Sequence, residues 1–132
     1  YVNRAKKGIE DAALVVGTSK DLMEAVAAHV IQELWGSYPS TANFPSLLGQ
    51  AFVALDMATP EQKPVQGEHQ RCRLERSLYE TACSINNLRN KQGVGHGRPW
   101  VSDLRASEAK AAVEFIGAIA ELMLDNLERK KP

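Results

Sequence analysis

Apolar residues return every three or four positions along almost the whole chain, and that rhythm constrains the fold more than any other feature. It is the period of an α-helix; the alternation of period two that marks half-buried strands is nearly absent. Proline and glycine interrupt the rhythm near Gly17, between Pro39 and Pro45, over residues 58–67 and over residues 93–105, which leaves five helical segments. The last, residues 107–128, divides most cleanly. Ala109, Ala112, Val113, Ile116, Ile119, Ala120, Met123 and Leu127 share one side, and Lys110, Glu114, Glu121, Asp125 and Glu128 the other. Lys110 and Glu114, four residues apart, can also pair. A chain of 132 residues holds one core, and short links between helices favour antiparallel neighbours. The expectation is a single all-α domain over residues 1–132, an up-and-down bundle of about five helices.

The first segment, residues 3–16, contains Gly8, which costs roughly 1 kcal/mol inside a helix. Thr18 followed three positions later by Asp21 has the form of a capping box, and it predicts a second helix that ends near Trp35 and Gly36. Leu22, Met23, Val26, Val30 and Leu34 are expected to form its stripe. Pro45 suits the first turn of a third helix carrying Leu47, Leu48, Ala51, Phe52 and Leu55. Residues 59–67, with Pro60 and Pro64, are expected to be a loop. In residues 68–90 the positions Leu74, Leu78, Ala82, Cys83, Ile85 and Leu88 cover about half the circumference, which predicts a mostly buried helix.

Sixteen Lys and Arg balance sixteen Asp and Glu, and 44% of residues are apolar, a composition that argues against wholesale disorder and against a basic nucleic-acid tail. Any nucleic-acid site must be local. The longest apolar stretches, residues 12–16 and 25–31, fall far short of the roughly 20 residues that cross a bilayer. Two cysteines make no disulfide framework, so a reducing compartment, the cytoplasm, is expected. The chain opens on Tyr1 where a methionine is usual, so the native protein is expected to begin upstream, with room for a preceding domain.

One passage breaks the rules of a bundle: residues 86–105, NNLRNKQGVGHGRPWVSDLR. Arg89, Lys91, Arg98 and Arg105 set four positive charges against the one negative of Asp103, a local net of +3 in a neutral chain, with Trp100 among them. Arg89 continues the inward series Leu78, Ala82, Ile85 at spacings of four, three and four. An unpaired charge there is costly, so either a carboxylate meets it inside the bundle or the stripe opens into a groove or dimer seam where an anion binds. Gly93, Gly95 and Gly97 surround His96 and permit a tight turn that presents the imidazole, although the same glycines also suit a plain flexible connection.

An Arg and a His brought to one point suit phosphodiester chemistry. Arg binds phosphate oxygens with a planar, permanently charged fork, while His, with an ordinary pKa near 6.5, moves protons at neutral pH. RNA supplies its own nucleophile, the 2′-OH, so no metal is needed. Asn90 is placed to orient a phosphate or the imidazole. One imidazole cannot conveniently act as base and acid in the same step, so a two-fold dimer that joins two His96 turns is chemically useful.

The passage LRNKQGVGHG, residues 88–97, resembles the hallmark of the abortive-infection C-terminal domain, a branch of the HEPN (higher eukaryote and prokaryote nucleotide-binding) superfamily. The resemblance runs over residues 14–127, with GTSKDLMEA at residues 17–25 and SEAKAAVEFIGAIAELML at residues 107–124. It implies an all-helical domain in which Arg89, the polar Asn90 and His96 form the catalytic set; beside them Gly93, Gly95 and Gly97 are expected to shape the turn that lets substrate come close, and Lys91, Arg98 and Trp100 are candidate substrate contacts by their own charge and aromaticity. It further implies a metal-independent, cofactor-free ribonuclease that dimerises to complete its site and serves in phage defence, with RNA as substrate and an antitoxin or upstream sensor domain as partner. The chain departs from relatives at Pro99, Trp100, Val101, Ser102 and Asp103, where they often carry a more basic stretch. Some superfamily members are inactive modules that bind nucleotide, RNA or protein, and a purely structural dimerisation domain is the third expectation.

Other residues have simpler explanations. Cys72 and Cys83 lie about 20° apart around a helix but roughly 16 Å apart along it, beyond shared ligation or a disulfide, so free thiols are expected. His69 beside Cys72 lacks a second ligand pair, so no metal site is expected. His29 falls outside its stripe and is expected to be exposed. Trp100 either stacks on an unpaired base or, more commonly for a lone Trp after proline, covers a bundle end. Lys91 and Arg98 either track phosphates or are solvated.

Overall fold

The computed structural model describes the backbone of residues 2–93 and 104–131, and the side chains of residues 16–88 and 104–131. Four helices account for nearly all of it: α1 (Val2–Trp35), α2 (Phe44–Ala54), α3 (Gln70–Gly93) and α4 (Ala106–Lys130), with no strand among the described residues. The all-α class agrees with the helical periodicity, but the described residues form four helices rather than five. The predicted break at Gly17 is absent, and α1 runs through it as one rod of 34 residues. A glycine costs a helix only about 1 kcal/mol, less than packing along a long amphipathic face returns. Gly17 is buried and flanked by Val16 and Ser19, at 1% and 5% exposure. The capping box expected at Thr18 and Asp21 therefore does not form, because a cap requires free N–H groups that an uninterrupted helix has already committed.

The helix ends follow local chemistry more closely. Gly36, at φ +83°, closes α1 in the left-handed region where a side chain would be strained, and its N–H donates to Gln32 O at 2.9 Å. Asn43 caps α2 by accepting from Ser46 N at 3.0 Å, with Pro45 in the first turn where its missing N–H costs nothing. At α4 the N-terminal carboxylate is Glu108, whose Oε1 accepts from Arg105 N at 2.9 Å.

α1 lies at the centre, packed most extensively on α4, then α2, and also touching α3. Its buried line is Met23, Val26, Ala27, Val30 and Ile31; Leu34 is half-buried, and Leu22, expected in the stripe, is exposed. α4 meets it with the apolar side read from sequence: Ala109, Ala112, Ile116, Ile119, Ala120, Met123 and Leu127 are all buried. α2 supplies Leu48, Ala51 and Phe52, each at 0% exposure.

α3 departs most from expectation. Its buried described residues are Glu75, Ala82, Ile85 and Asn86, while Leu74 and Leu88, expected inside, are exposed. Half of that buried set is polar, so this helix is not held by apolar burial alone. Tyr79 fastens it to α2: its hydroxyl donates to Pro45 O at 2.8 Å and its ring meets Phe52 edge-on at 5.6 Å. Arg76 grips Glu68 through two hydrogen bonds of 2.7 Å and Gln62 O at 3.1 Å, which ties the 59–69 connection to the helix.

Candidate nucleic-acid site at the end of α3

The buried face of α3 carries the spacing four, three, four, three: Glu75, Tyr79, Ala82, Asn86, and then position 89. At about 100° per residue, position 89 falls in the middle of the arc occupied by Glu75, Ala82, Ile85 and Asn86, whereas position 90 lies about 100° around from it and about 40° past Asn86. The helix continues to Gly93, three residues further than the expected end near residue 90, so Arg89, Asn90 and Lys91 all stand on helical backbone. Gly93 closes the helix instead of opening the turn. The side chains of Arg89, Asn90 and Lys91 lie outside the described set, and so do Gly95, His96, Gly97, Arg98 and Trp100. Arg105, the last cation of the basic passage, is the exposed N-cap residue of α4.

The two buried polar side chains of α3 differ in their partners. Glu75, at 8% exposure, accepts a hydrogen bond of 3.0 Å from Ala58 N. Asn86, at 2% exposure, has an Oδ1 that meets no donor among the described residues. Glu75 is the one buried acidic side chain described, and it sits fourteen residues before Arg89, roughly 21 Å along the helix. The carboxylate that was one of two alternatives for satisfying Arg89 is therefore not supplied by the described core. Periodicity did contain the signal for Asn86, a polar residue one turn before Arg89 in an otherwise inward series, but sequence reasoning passed over it.

An open groove of about 440 Å³ runs between α3 and α4 beside this end, lined by Glu80, Ser84, Leu88, Glu108, Ala112 and Phe115 among others. Leu88 and Phe115 are exposed there, at 38% and 54%. Glu80 and Glu108 on its rim repel phosphate, so the groove suits an apolar protein surface better than an RNA backbone.

Titration is perturbed away from this end. Burial, assisted by Cys83, pushes the Tyr79 hydroxyl up to about 12, and burial raises the half-buried Cys83 thiol. The hydrogen bonds from Arg76 hold the Glu68 carboxyl below its ordinary value. Cys72 and Cys83 are free thiols. His69 Nδ1 accepts from Arg71 N and Nε at 3.1 and 3.2 Å, a local turn contact. His29 is exposed, as its place off the stripe implied. Among the described residues no three His, Cys, Asp or Glu side chains gather in a metal-binding group, and no helix is long and apolar enough to cross a membrane.

No curated protein and no solved structure matches the chain. The family described as a HEPN-like domain, Abi_C, matches residues 2–127, from the start of α1 to the last turn of α4. An all-helical scaffold whose third helix carries the Arg-Asn pair and leads into the glycine-flanked histidine is thus matched over nearly its full length, and the chain belongs to the HEPN-like family.

Proposed function

We propose that this domain is a metal-independent endoribonuclease of bacterial phage defence, working in the cytoplasm as a homodimer and forming the effector part of a longer protein. The observation that carries the proposal is the placement of Arg89 at the middle of α3's inward face, one turn before that helix ends and seven residues before His96, in a HEPN-like chain. A permanent cation and a titratable ring within one short passage are what RNA cleavage by its own 2′-OH requires.

His96 takes the proton from the ribose 2′-OH as O2′ attacks phosphorus. Arg89 binds the non-bridging oxygens and stabilises the negative charge that accumulates on them. The bond from phosphorus to O5′ breaks, and His96 of the second copy delivers a proton to that leaving oxygen. The products end in a 2′,3′-cyclic phosphate and a 5′-hydroxyl. Asn90 orients the phosphate or the imidazole, and Lys91 and Arg98 steer the strand. Gly93, Gly95 and Gly97 let the RNA backbone come close, and Trp100 stacks on an unpaired base. The second copy covers Leu88 and Phe115 in the groove beside the motif, where the acidic rim disfavours RNA. An antitoxin or an upstream sensor domain restrains the activity.

Purified protein incubated with mixed RNA in EDTA tests this. Cleavage that survives the chelator, leaves cyclic phosphate ends and falls about 100-fold or more in both His96→Ala and Arg89→Ala is the expected result. RNA binding without turnover would instead identify a non-catalytic module. Loss of the dimer in Leu88→Glu or Phe115→Glu, with no effect on RNA in any variant, would leave only a dimerisation domain.

A further inference from the structure

We infer that the cavity walled by Trp35, Gln50, Val53, Thr59, Glu61 and Tyr79 is a second binding site, one that takes a small organic cation: a guanidinium or ammonium group on a short apolar stem. The inference stands apart from the ribonuclease reading. The cavity holds about 430 Å³ where the end of α1, one side of α2 and Tyr79 of α3 meet Thr59 and Glu61. That volume suits a small organic molecule. Tyr79 precedes Arg89 by ten residues, roughly 15 Å along the helix, so the cavity does not include the Arg89 end of α3.

Among the described residues that line it, Glu61 is the only charged one. Its carboxylate is exposed and forms no ion pair among the described residues. The charge reaches the opposite wall: the Tyr79 hydroxyl, raised mainly by burial, is raised further by Glu61. α1 ends at Trp35 with no basic side chain in its last turn, which leaves the negative end of its dipole uncompensated beside the cavity. The positive start of α2 lies on the same wall, but Asn43 caps it. This balance attracts a cation and turns away phosphate.

The uncharged walls fit the same occupant. Trp35 and Val53, 51% and 45% exposed, supply an aromatic ring and apolar surface, and an indole face is the strongest side-chain receptor for an organic cation. Thr59 is 5% exposed, yet its hydroxyl makes no hydrogen bond among the described residues. Gln50 Nε2 donates to Ser46 Oγ at 3.3 Å, which leaves Oε1 as an acceptor. A guanidinium or ammonium group brings several N–H donors and no acceptor, the complement of carboxylate, carbonyl and hydroxyl oxygens. Polar groups as deep as Thr59 are seldom left unpaired, and a donor from the ligand satisfies this one.

Titration of the whole chain with n-butylguanidinium, followed by tryptophan fluorescence and by calorimetry, tests this, with n-butylurea as the uncharged counterpart. Saturable binding with a Kd of about 10 mM or below, at least about tenfold tighter than the urea, is the expected result. Glu61→Gln and Trp35→Ala change exposed positions, leave the fold intact by circular dichroism, and each weaken binding about threefold or more. Thr59→Val keeps the shape and removes only the hydroxyl, so binding falls about threefold while Tm does not. Equal affinity for the urea, no saturation below about 50 mM, or an affinity unchanged by Glu61→Gln or by Trp35→Ala overturns the inference. N-acetylarginine amide separates the two sources of such a group. Tighter binding than n-butylguanidinium assigns the cavity to an arginine of a partner protein, and weaker binding assigns it to a free cation.

Discussion

The two ends of one helix face carry the same kind of problem and resolve it differently. At the N-terminal end of α3, buried Glu75 is satisfied by Ala58 N, while Tyr79 and the Arg76–Glu68 pair tie the helix to α2 and to the 59–69 connection. At the C-terminal end, buried Asn86 keeps an oxygen with no partner among the described residues, one turn before Arg89. A buried polar group with all its bonds made contributes to specifying the fold; one left open is available to a neighbour or a ligand. The first end is closed by bonds within the fold, and the second is left open among the described residues.

The largest expected effect at the stabilising end is Phe52→Ala, which removes a fully buried ring and the edge contact to Tyr79. It should cost about 3–5 kcal/mol in urea denaturation, with the proposed RNA cleavage, per folded molecule, unchanged. A loss of cleavage beyond the unfolded fraction would blur the division between the two ends. Next, Glu75→Leu leaves the Ala58 N–H unpartnered and should cost about 1–3 kcal/mol, whereas Glu75→Gln, which keeps an acceptor oxygen, should cost much less. Equal losses in the two variants would show that charge, not the hydrogen bond, holds the connection.

Tyr79→Phe removes the bond to Pro45 O and should cost about 0.5–1.5 kcal/mol near neutral pH. It also has a pH signature. The folded hydroxyl titrates at about 12, above its unfolded value near 10. Between those values the unfolded chain has lost the proton that the folded chain retains. The contribution of Tyr79 is therefore complete below about pH 10 and is lost as pH rises toward 12. Denaturation curves of the Phe variant should fall less steeply across that window, and an identical slope would contradict the burial assigned to the hydroxyl. The smallest effect is Lys110→Ala: its pair with Glu114 is 4.0 Å long and both side chains are exposed, so stability should move by no more than about 0.5 kcal/mol.

The errors of sequence reasoning cluster where a local signal competes with packing. Gly17 and the Thr18 to Asp21 pattern are genuine end signals, but a 34-residue α1 that packs on α2, α3 and α4 overrides them, and Val16, Gly17 and Ser19 are buried at that point. Leu74 and Leu88 fit an apolar arc on α3, but among the described residues no helix packs closely over them, and they remain exposed. On α4 the same method does better, because that helix packs extensively on α1: seven of the eight stripe residues are buried and Val113 is half-buried. Of the site, the Arg89 to His96 motif was legible as letters, and the phase of Arg89 on α3 could be computed from them. The depth of Asn86 could not, since its neighbours come from distant parts of the chain.

By itself the amino-acid order determined the helical class, the ends at Gly36 and Pro45, the buried side of α4 and the family, because helices form from bonds four residues apart and caps act within one turn. Tertiary structure alone decided that the first two segments are one rod, that α3 is half open, and that one buried polar side chain has a partner while the other's oxygen meets none among the described residues. Periodicity aligns residues along a line. Which parts of that line are dry, and which carbonyl there still lacks a donor, depends on the elements that come to lie against it.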